Sequence, residues 1–506
     1  MMALLESTDG IPLATLLEGL ADCSAYTDIR ISGVCIDSRK TGQGDLFLAC
    51  HGTKTSGVHY MREAIDAGAV AVAIESDAGA IVFNDEVPVI PVSGLRNKAG
   101  IIAARFYGNP SARLNVIGIT GTNGKTSVSC FIAQSLAGFS GRNVGLIGTL
   151  GYGPYSQLVS GINTTPDPVV LQQTLADLLH EGTDTVIMEV TSIGLDQGRV
   201  AGVDFNMGVL TNLTADHLDY HGDMHTYAEA KKQLFTSHGI SHAIINTDDE
   251  YGMRLCSELG SDVPIIRYAL VNELPAAQAG SAQSAVLAVV DETQTGLSLA
   301  IASPWGQGKL TTGISGRYNA YNLLASLAVL CLLEIPFEQA MQQLSQLTPV
   351  PGRLEKFGGN GKPEVFVDYA HTPDALDHVL RFLKEDCSGK LICVFGCGGN
   401  RDRSKRAPMG TIAETYADQV IVTSDNPRFE DPALIIEDIL AGISNREAVQ
   451  VLADRNQAIT TAVRTAAAGD VVLIAGKGHE TYQEVAGQRY PFSDRQLVRN
   501  LLGAVS

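Results

Sequence analysis

The chain has no basic excess, no membrane-length apolar run and no cysteine framework. Its 36 lysines and arginines face 55 aspartates and glutamates, for a net charge of −19 and a pI near 5.0. General affinity for nucleic acid or for an anionic membrane needs basic surface, so both are disfavoured as partners. Local basic pockets for small anions are not excluded. No run reaches the roughly 18 apolar residues that a spanning helix needs, so no membrane insertion is expected. Residues 1–9, Met-Met-Ala-Leu-Leu-Glu-Ser-Thr-Asp, lack the basic flank and long apolar stretch of a secretory signal. The nine cysteines form no CxxC pair and no regular spacing. An odd, unpatterned set fits a reducing compartment, and a cytoplasmic location is expected. Cys393 and Cys397 flank the end of an apolar run and read as buried thiols rather than ligands. There is no short-period repeat and no low-complexity tract.

What is present is a long chain with full cores. At 506 residues, 45% of them hydrophobic and 18% charged, about three domains are expected. β-like apolar runs alternate with helical periods, which predicts α/β layers. Strands are predicted near Gly33–Ile36, Asp45–Ala49, Ala69–Ile74 and Val87–Val92, then at Leu114–Ile119, Thr185–Met188, Met207–Leu210 and Ala243–Asn246. A long amphipathic helix is predicted after Arg317, covering Leu323–Leu333. Further strands follow at Val365–Val367, Leu391–Phe395, Gln419–Thr423 and Val471–Ala475, which read as a smaller doubly wound sheet. Turn-rich segments at Asn109-Pro-Ser111 and Thr348-Pro-Val-Pro-Gly352 divide the chain into 1–108, 109–348 and 349–506. The unusual polar motifs follow strands, and in open α/β sheets that edge is where ligands bind.

The most specific motif is Gly118-Ile-Thr-Gly-Thr-Asn-Gly-Lys-Thr126, set between a predicted strand and a predicted helix. Strand, glycine turn and helix in that order make a phosphate-binding loop. Backbone N–H groups of Gly121, Thr122, Asn123 and Gly124 can close around phosphate oxygens, aided by the positive helix end. Lys125 can reach the terminal phosphates, and the Thr126 hydroxyl can ligate magnesium. Ile119 stands where the common pattern has its first glycine. The chain therefore binds a nucleoside triphosphate.

Other motifs surround this one in sequence order. Glu189, at the end of a buried-looking strand, offers magnesium a hard oxygen, or else serves as an N-cap. His217, His221 and His225 recur every four residues, as on a zinc-binding face, but Gly222 and Asp223 argue against an unbroken helix. Asp216-His217 at a strand end suits magnesium equally well. Tyr227-Ala-Glu-Ala-Lys-Lys-Gln-Leu-Phe235 has helical spacing, with Lys231 beside the apolar face and, on its own, readable as a solvated lysine. Gly396 to Arg406 runs from a glycine turn into a basic stretch, either an anion site or a solvated loop.

These motifs together, in this order, resemble the Mur ligases, ATP-dependent enzymes that add amino acids to a UDP-linked muramoyl-peptide precursor of the cell wall. The resemblance covers essentially the whole chain and is greatest to members that add the third residue. It implies an N-terminal α/β uridine-binding domain, a central P-loop-type ATPase domain with a mostly parallel sheet, and a C-terminal Rossmann-like domain. By resemblance, Ser38 in Asp37-Ser-Arg39, with Gly44-Asp-Leu-Phe47, serves the uridine domain. Asn163, Thr164, Thr165, Thr191, Gln197 and Arg199 would contact the muramoyl-peptide. Asn319, Asn322, Arg353, Asp368 and His371 would join the glycine loop around ATP. Lys231 would be carbamylated and, with Lys125 and His217, catalytic. Thr126, Glu189, His217 and the Lys231 carbamate would hold Mg2+. Arg401, Asp425, Asn426, Arg428, Gly476 and Glu480 would form the amino-acid pocket.

The substrates so implied are UDP-N-acetylmuramoyl-L-alanyl-D-glutamate, ATP and meso-diaminopimelate, and a monomer is expected. Arg428 favours diaminopimelate over L-lysine, because its planar fork matches the extra carboxylate. Two rivals are a ligase resembling folylpolyglutamate synthetase and a P-loop switch or motor ATPase. Two departures from the family pattern stand out. Ile193 replaces a usual histidine after Glu189-Val-Thr-Ser192, and Thr55-Ser-Gly-Val-His59 departs from the usual Asp-Gly.

Overall fold

Short runs of valine, isoleucine and leucine, bounded by glycine turns, form the parallel strands of three sheets, each flanked by helices. The computed structural model describes residues 10–52, 55–75, 87–161, 163–274, 284–293, 296–359 and 361–503. The amino-terminal segment read above for a secretory signal lies outside them.

The first sheet is four-stranded and parallel, in the order Gly33–Cys35, Asp45–Ala49, Ala71–Glu75, Val89–Val92. All four strands lie within a residue or two of their predicted places.

The second sheet has ten strands. Its parallel centre runs Ala285–Thr293, Ile265–Leu270, His242–Asn246, Met207–Leu210, Asn115–Thr120, Thr185–Glu189, Val144–Gly148. Antiparallel strands close both edges: Gly296–Ser303 and Gly306–Thr312 on one side, Gly151–Pro154 on the other. The central strands Ala285–Thr293, Ile265–Leu270 and Val144–Gly148 were not expected, and neither were these edge strands. Their glycines and alternating polar residues carry a weaker signal than the continuous apolar runs of the centre.

The third sheet runs Glu355–Gly358, Glu364–Asp368, Val471–Ala475, Leu391–Phe395, Gln419–Val422, Val449–Val451, parallel except at its first pair. The molecule is thus a three-domain α/β protein with mostly parallel sheets.

The predicted helix after Arg317 spans Tyr318–Leu332, and its character differs from the expectation. Twelve of its fifteen residues are buried, so it is not amphipathic. It packs on the large sheet and against the helices Lys125–Ala137 and Phe337–Ser345, and a helix covered on most sides needs apolar residues nearly all round. The histidine series breaks as anticipated. Leu218–His221 forms one short helix and Met224–Thr236 another, with Gly222 at φ +82° between them. Cys393 and Cys397 are buried, and burial pushes both thiols up to about 12.

Candidate functional site

The glycine loop joins the strand Asn115–Thr120 to the helix Lys125–Ala137, with Gly124 at φ +85° immediately before the helix. Gly121, at φ +145°, permits a close approach: a Cβ there would collide with Thr211 Oγ1. The loop is held from the next strand end. Thr122 N–H donates to Asn212 O at 2.9 Å, and Asn123 N–H to Asn212 Oδ1 at 2.9 Å. Lys125 folds back to donate to Gly121 O and Thr122 O, at 2.8 and 2.9 Å. Burial pushes its ammonium down, against the pull of Glu189 and Asp216.

Glu189 is 1% exposed. Its Oε2 accepts from Thr126 Oγ1 at 2.9 Å and from Thr149 Oγ1 at 3.0 Å, and its Oε1 accepts from Thr149 N–H at 2.8 Å. Thr126 also accepts from Arg353 Nη2 at 2.9 Å, so an arginine from beyond the domain boundary reaches the phosphate loop. A buried carboxylate next to a hydroxyl at a phosphate loop is a hard-oxygen donor set, which fits magnesium.

Lys231 is not solvated. It is 1% exposed, with Nζ 2.8 Å from Gly121 O and 4.4 Å from the Tyr227 ring centroid. Burial, aided by Lys125, holds its pKa well below the ordinary lysine value.

The cleft between the second and third sheets contains two adjoining cavities. One, of about 310 Å³, is lined by Asn123, Gly124, Asn322, Arg353, Asp368 and Tyr369, among others. Asp368 accepts from Leu354 N–H and Ala370 N–H at 2.6 and 2.7 Å, so it also braces the connection between domains. Asn319 and Asn322 are bonded to each other at 2.8 Å. Asn123 Nδ2 donates to Asp374 Oδ2 at 3.0 Å across the cleft.

The other cavity, of about 120 Å³, takes Asp216 and His217 from one side. From the other come Tyr369, His371, Arg401, Asp425, Asn426, Arg428, Gly476 and Glu480. Burial would raise the Asp216 carboxyl, but His217, His371 and Lys405 outweigh it and hold it at about 2. Its Oδ2 lies 3.5 Å from His217 Nε2 and 3.8 Å from His371 Nε2. Burial and nearby cations lower both imidazoles to about 4. Asn426 Nδ2 donates to Glu480 Oε2 at 2.8 Å. Arg428 sits at φ +52° and donates from Nη1 to Gly399 O at 2.8 Å, so part of its fork braces the neighbouring turn.

A third cavity, of about 610 Å³, lies between the first and second sheets. It is lined by Ser38, Asn163, Gln197 and Arg199, among others. Ser38 Oγ donates to Glu63 Oε2 at 3.0 Å, and Arg199 donates to Thr165 O at 2.8 Å and Gln197 Oε1 at 2.7 Å. Thr165 and Thr191 hydroxyls are 2.9 Å apart, and those of Thr149 and Thr164 3.2 Å apart. Ile193 sits in the short helix Ser192–Asp196 beside this row.

His217 faces Asp216 rather than Thr126 or Glu189. His221 Nε2 is 3.0 Å from Ser192 Oγ, so the three histidines do not share one face. Residues not singled out from sequence include Thr149, Tyr369, Asp374 and Lys477. Tyr369 lies beside Asp368 and Lys477 beside Gly476, so adjacency was their available signal. Thr149 and Asp374 carried none.

Residues 119–330 match the Mur ligase middle domain, residues 352–478 the Mur ligase glutamate ligase domain, and residues 30–107 the Mur ligase family catalytic domain. The chain belongs to the Mur ligase family. Among its relatives is a protein from Coxiella burnetii, 46% identical over 475 residues, covering 94% of this chain and 96% of that one. Another, from Chromobacterium violaceum, is 47% identical over 480 residues, covering 94% and 95%. Both bear the name UDP-N-acetylmuramoyl-L-alanyl-D-glutamate--2,6-diaminopimelate ligase. A solved structure of that name matches with a TM-score of 0.68 at 33% identity, over 98% of this chain and 99% of its own.

Proposed function

We propose that this protein is an ATP-dependent amide ligase that adds meso-2,6-diaminopimelate to UDP-N-acetylmuramoyl-L-alanyl-D-glutamate, in peptidoglycan precursor synthesis. The observation that carries it is the pair of adjoining cavities. The nucleotide cavity and the amino-acid cavity share Tyr369 as a wall, which supports a reaction that draws phosphate and amine from its two sides.

The D-glutamyl carboxylate attacks the γ-phosphorus of ATP; an O–P bond forms, the bond to ADP breaks, and an acyl phosphate results. The amine then attacks the acyl carbon; the amide C–N bond forms, phosphate leaves, and the amine loses a proton. In the first step a carboxylate approaches a polyanion, so charge must be neutralised. Lys125 does this from within the loop, and Arg353 from across the cleft. Thr126 with Glu189, and separately His217 with Lys231 as its carbamate, would hold two Mg2+ ions, which when bound would neutralise phosphate charge and polarise the reacting oxygens. The depressed pKa of Lys231 supports carbamylation, because a neutral amine is the form that attacks carbon dioxide. Asn163, Thr164, Thr165, Thr191, Gln197 and Arg199 hold the muramoyl-peptide, with Ser38 toward its uridine end. Asn319 and Asp368 complete the nucleotide side, which His371 adjoins from the wall of the amino-acid cavity. Arg401, Asp425, Asn426, Arg428, Gly476 and Glu480 hold the amino acid. The functional units are 1–108, 109–348 and 349–506, in a cytoplasmic monomer.

The test is kcat/KM for meso-diaminopimelate and L-lysine with the UDP-linked dipeptide, in wild type and Arg428→Ala. Diaminopimelate should be strongly preferred, and the variant should lose about 10²-fold of that preference. Comparable wild-type use of the two amino acids would overturn the diaminopimelate assignment. ATP hydrolysis indifferent to any amino acid would overturn the ligase.

A further inference from the structure

Behind the amino-acid cavity lies a lysine that does not line it. Lys477 has no exposed surface. Its Nζ donates to Glu480 Oε2 at 2.7 Å and to Asn426 Oδ1 at 3.0 Å, while Asn426 Nδ2 donates to the same Glu480 oxygen at 2.8 Å. Glu484 N–H donates to Asn426 Oδ1 at 2.9 Å. The three side chains close a ring. An asparagine amide is nearly symmetric in shape, and only its bonds decide which end faces where. Here Oδ1 faces two donors and Nδ2 faces a carboxylate. Turning the amide over would set donor against donor and oxygen against carboxylate. Lys477 therefore fixes the orientation of two groups that line the cavity, while remaining out of contact with anything inside it.

Lys477 also adjusts charge. The cavity is lined by five carboxylates, Asp216, Asp219, Asp402, Asp425 and Glu480, against three permanent cations, Arg401, Lys405 and Arg428. A buried ammonium bonded to Glu480 offsets part of that excess, and in a buried setting it does so with little screening. The offset matters for choice between amino acids. Meso-diaminopimelate carries two ammonium and two carboxylate groups and is neutral overall; L-lysine carries one fewer carboxylate and is a cation.

We propose that Lys477 is a positioning and specificity-determining residue: it holds Glu480 and Asn426 in the arrangement that receives the amino acid, and its charge disfavours a cationic one. The proposal rests on reading this cavity as the amino-acid pocket. Lys477→Met should raise KM for meso-diaminopimelate by about 10²-fold, as for a group displaced by about 1 Å, with KM for ATP unchanged. Its diaminopimelate-to-lysine ratio of kcat/KM should fall. Lys477→Gln keeps a donor and removes the charge; it should retain more of the affinity yet still lose selectivity, and it decides the matter if the methionine variant does not fold. Combined with Glu480→Gln, loss of Lys477 should add little, because it acts through that carboxylate. Unchanged selectivity in the glutamine variant, additive losses, or equal rises in KM for ATP and amino acid with a lowered Tm would each overturn the role of Lys477. A wild-type enzyme that uses neither amino acid would instead sink the pocket reading itself.

Discussion

The Lys231 ammonium has a carbonyl and a ring face beside it, Gly121 O at 2.8 Å and the Tyr227 ring at 4.4 Å. Both contacts favour the charged form, yet burial and the neighbouring Lys125 outweigh them and lower its pKa, which eases the neutral state that carbamylation would need. Lys231→Ala should abolish most turnover, and short carboxylic acids should restore part of it by filling the vacated anion position. High residual activity of the variant in bicarbonate-free buffer would count against the carbamate. Two histidines offer a separate prediction. Burial lowers His371 to about 4 and His479 to about 3, below the ordinary value of 6.5. Between those values and 6.5 the unfolded chain binds more protons than the folded one, so stability rises with pH there. The ligand-free protein should lose Tm steadily as pH falls from about 6.5 toward 4. Calorimetry across that range checks it, and His479→Asn should flatten the slope. From sequence alone Lys231 was readable as a surface lysine, since one lysine beside an apolar face looks the same whether its head is wet or dry. The walls that bury it come from strands far away in the chain.

The helix Met224–Thr236 delivers Lys231, and its start is set by Asp223, whose Oδ1 accepts from Thr226 N–H at 2.7 Å. Asp223→Ala should cost about 1 kcal/mol of stability by urea unfolding. It should also lower turnover, since fraying this end loosens the turn that carries Tyr227. Stability unchanged within error would show that the cap is idle. At this scale the glycine loop was legible because strand, turn and helix carry their own local signals. The central helix Tyr318–Leu332 was placed correctly and its character misjudged. Helical period is a local property, but burial on most faces depends on what packs around it.

Among the described residues, hydrogen bonds from Arg353 to Thr126 and from Asn123 to Asp374 bridge the nucleotide cleft. Both come from elements at the carboxyl edges of their sheets, so the third domain is already drawn toward the phosphate loop. Asp374→Ala removes one of these contacts without touching the glycine loop's own backbone bonds. In solution without nucleotide, the variant should be more extended by small-angle scattering, and a non-hydrolysable nucleotide should contract it more than it contracts wild type. Identical scattering curves for the two free proteins would show that this bond does not hold the cleft.

The sequence by itself determined the family, the three α/β units, the phosphate loop and the order of the motifs, because each is written in contiguous residues with a local period or a local turn requirement. Only the tertiary structure decided that Lys231 and Lys477 are dry, that Asp216 faces two histidines, and that Tyr369 divides two cavities. Burial and electrostatic environment are sums over neighbours distant in the chain, and those neighbours meet only when the sheets have packed.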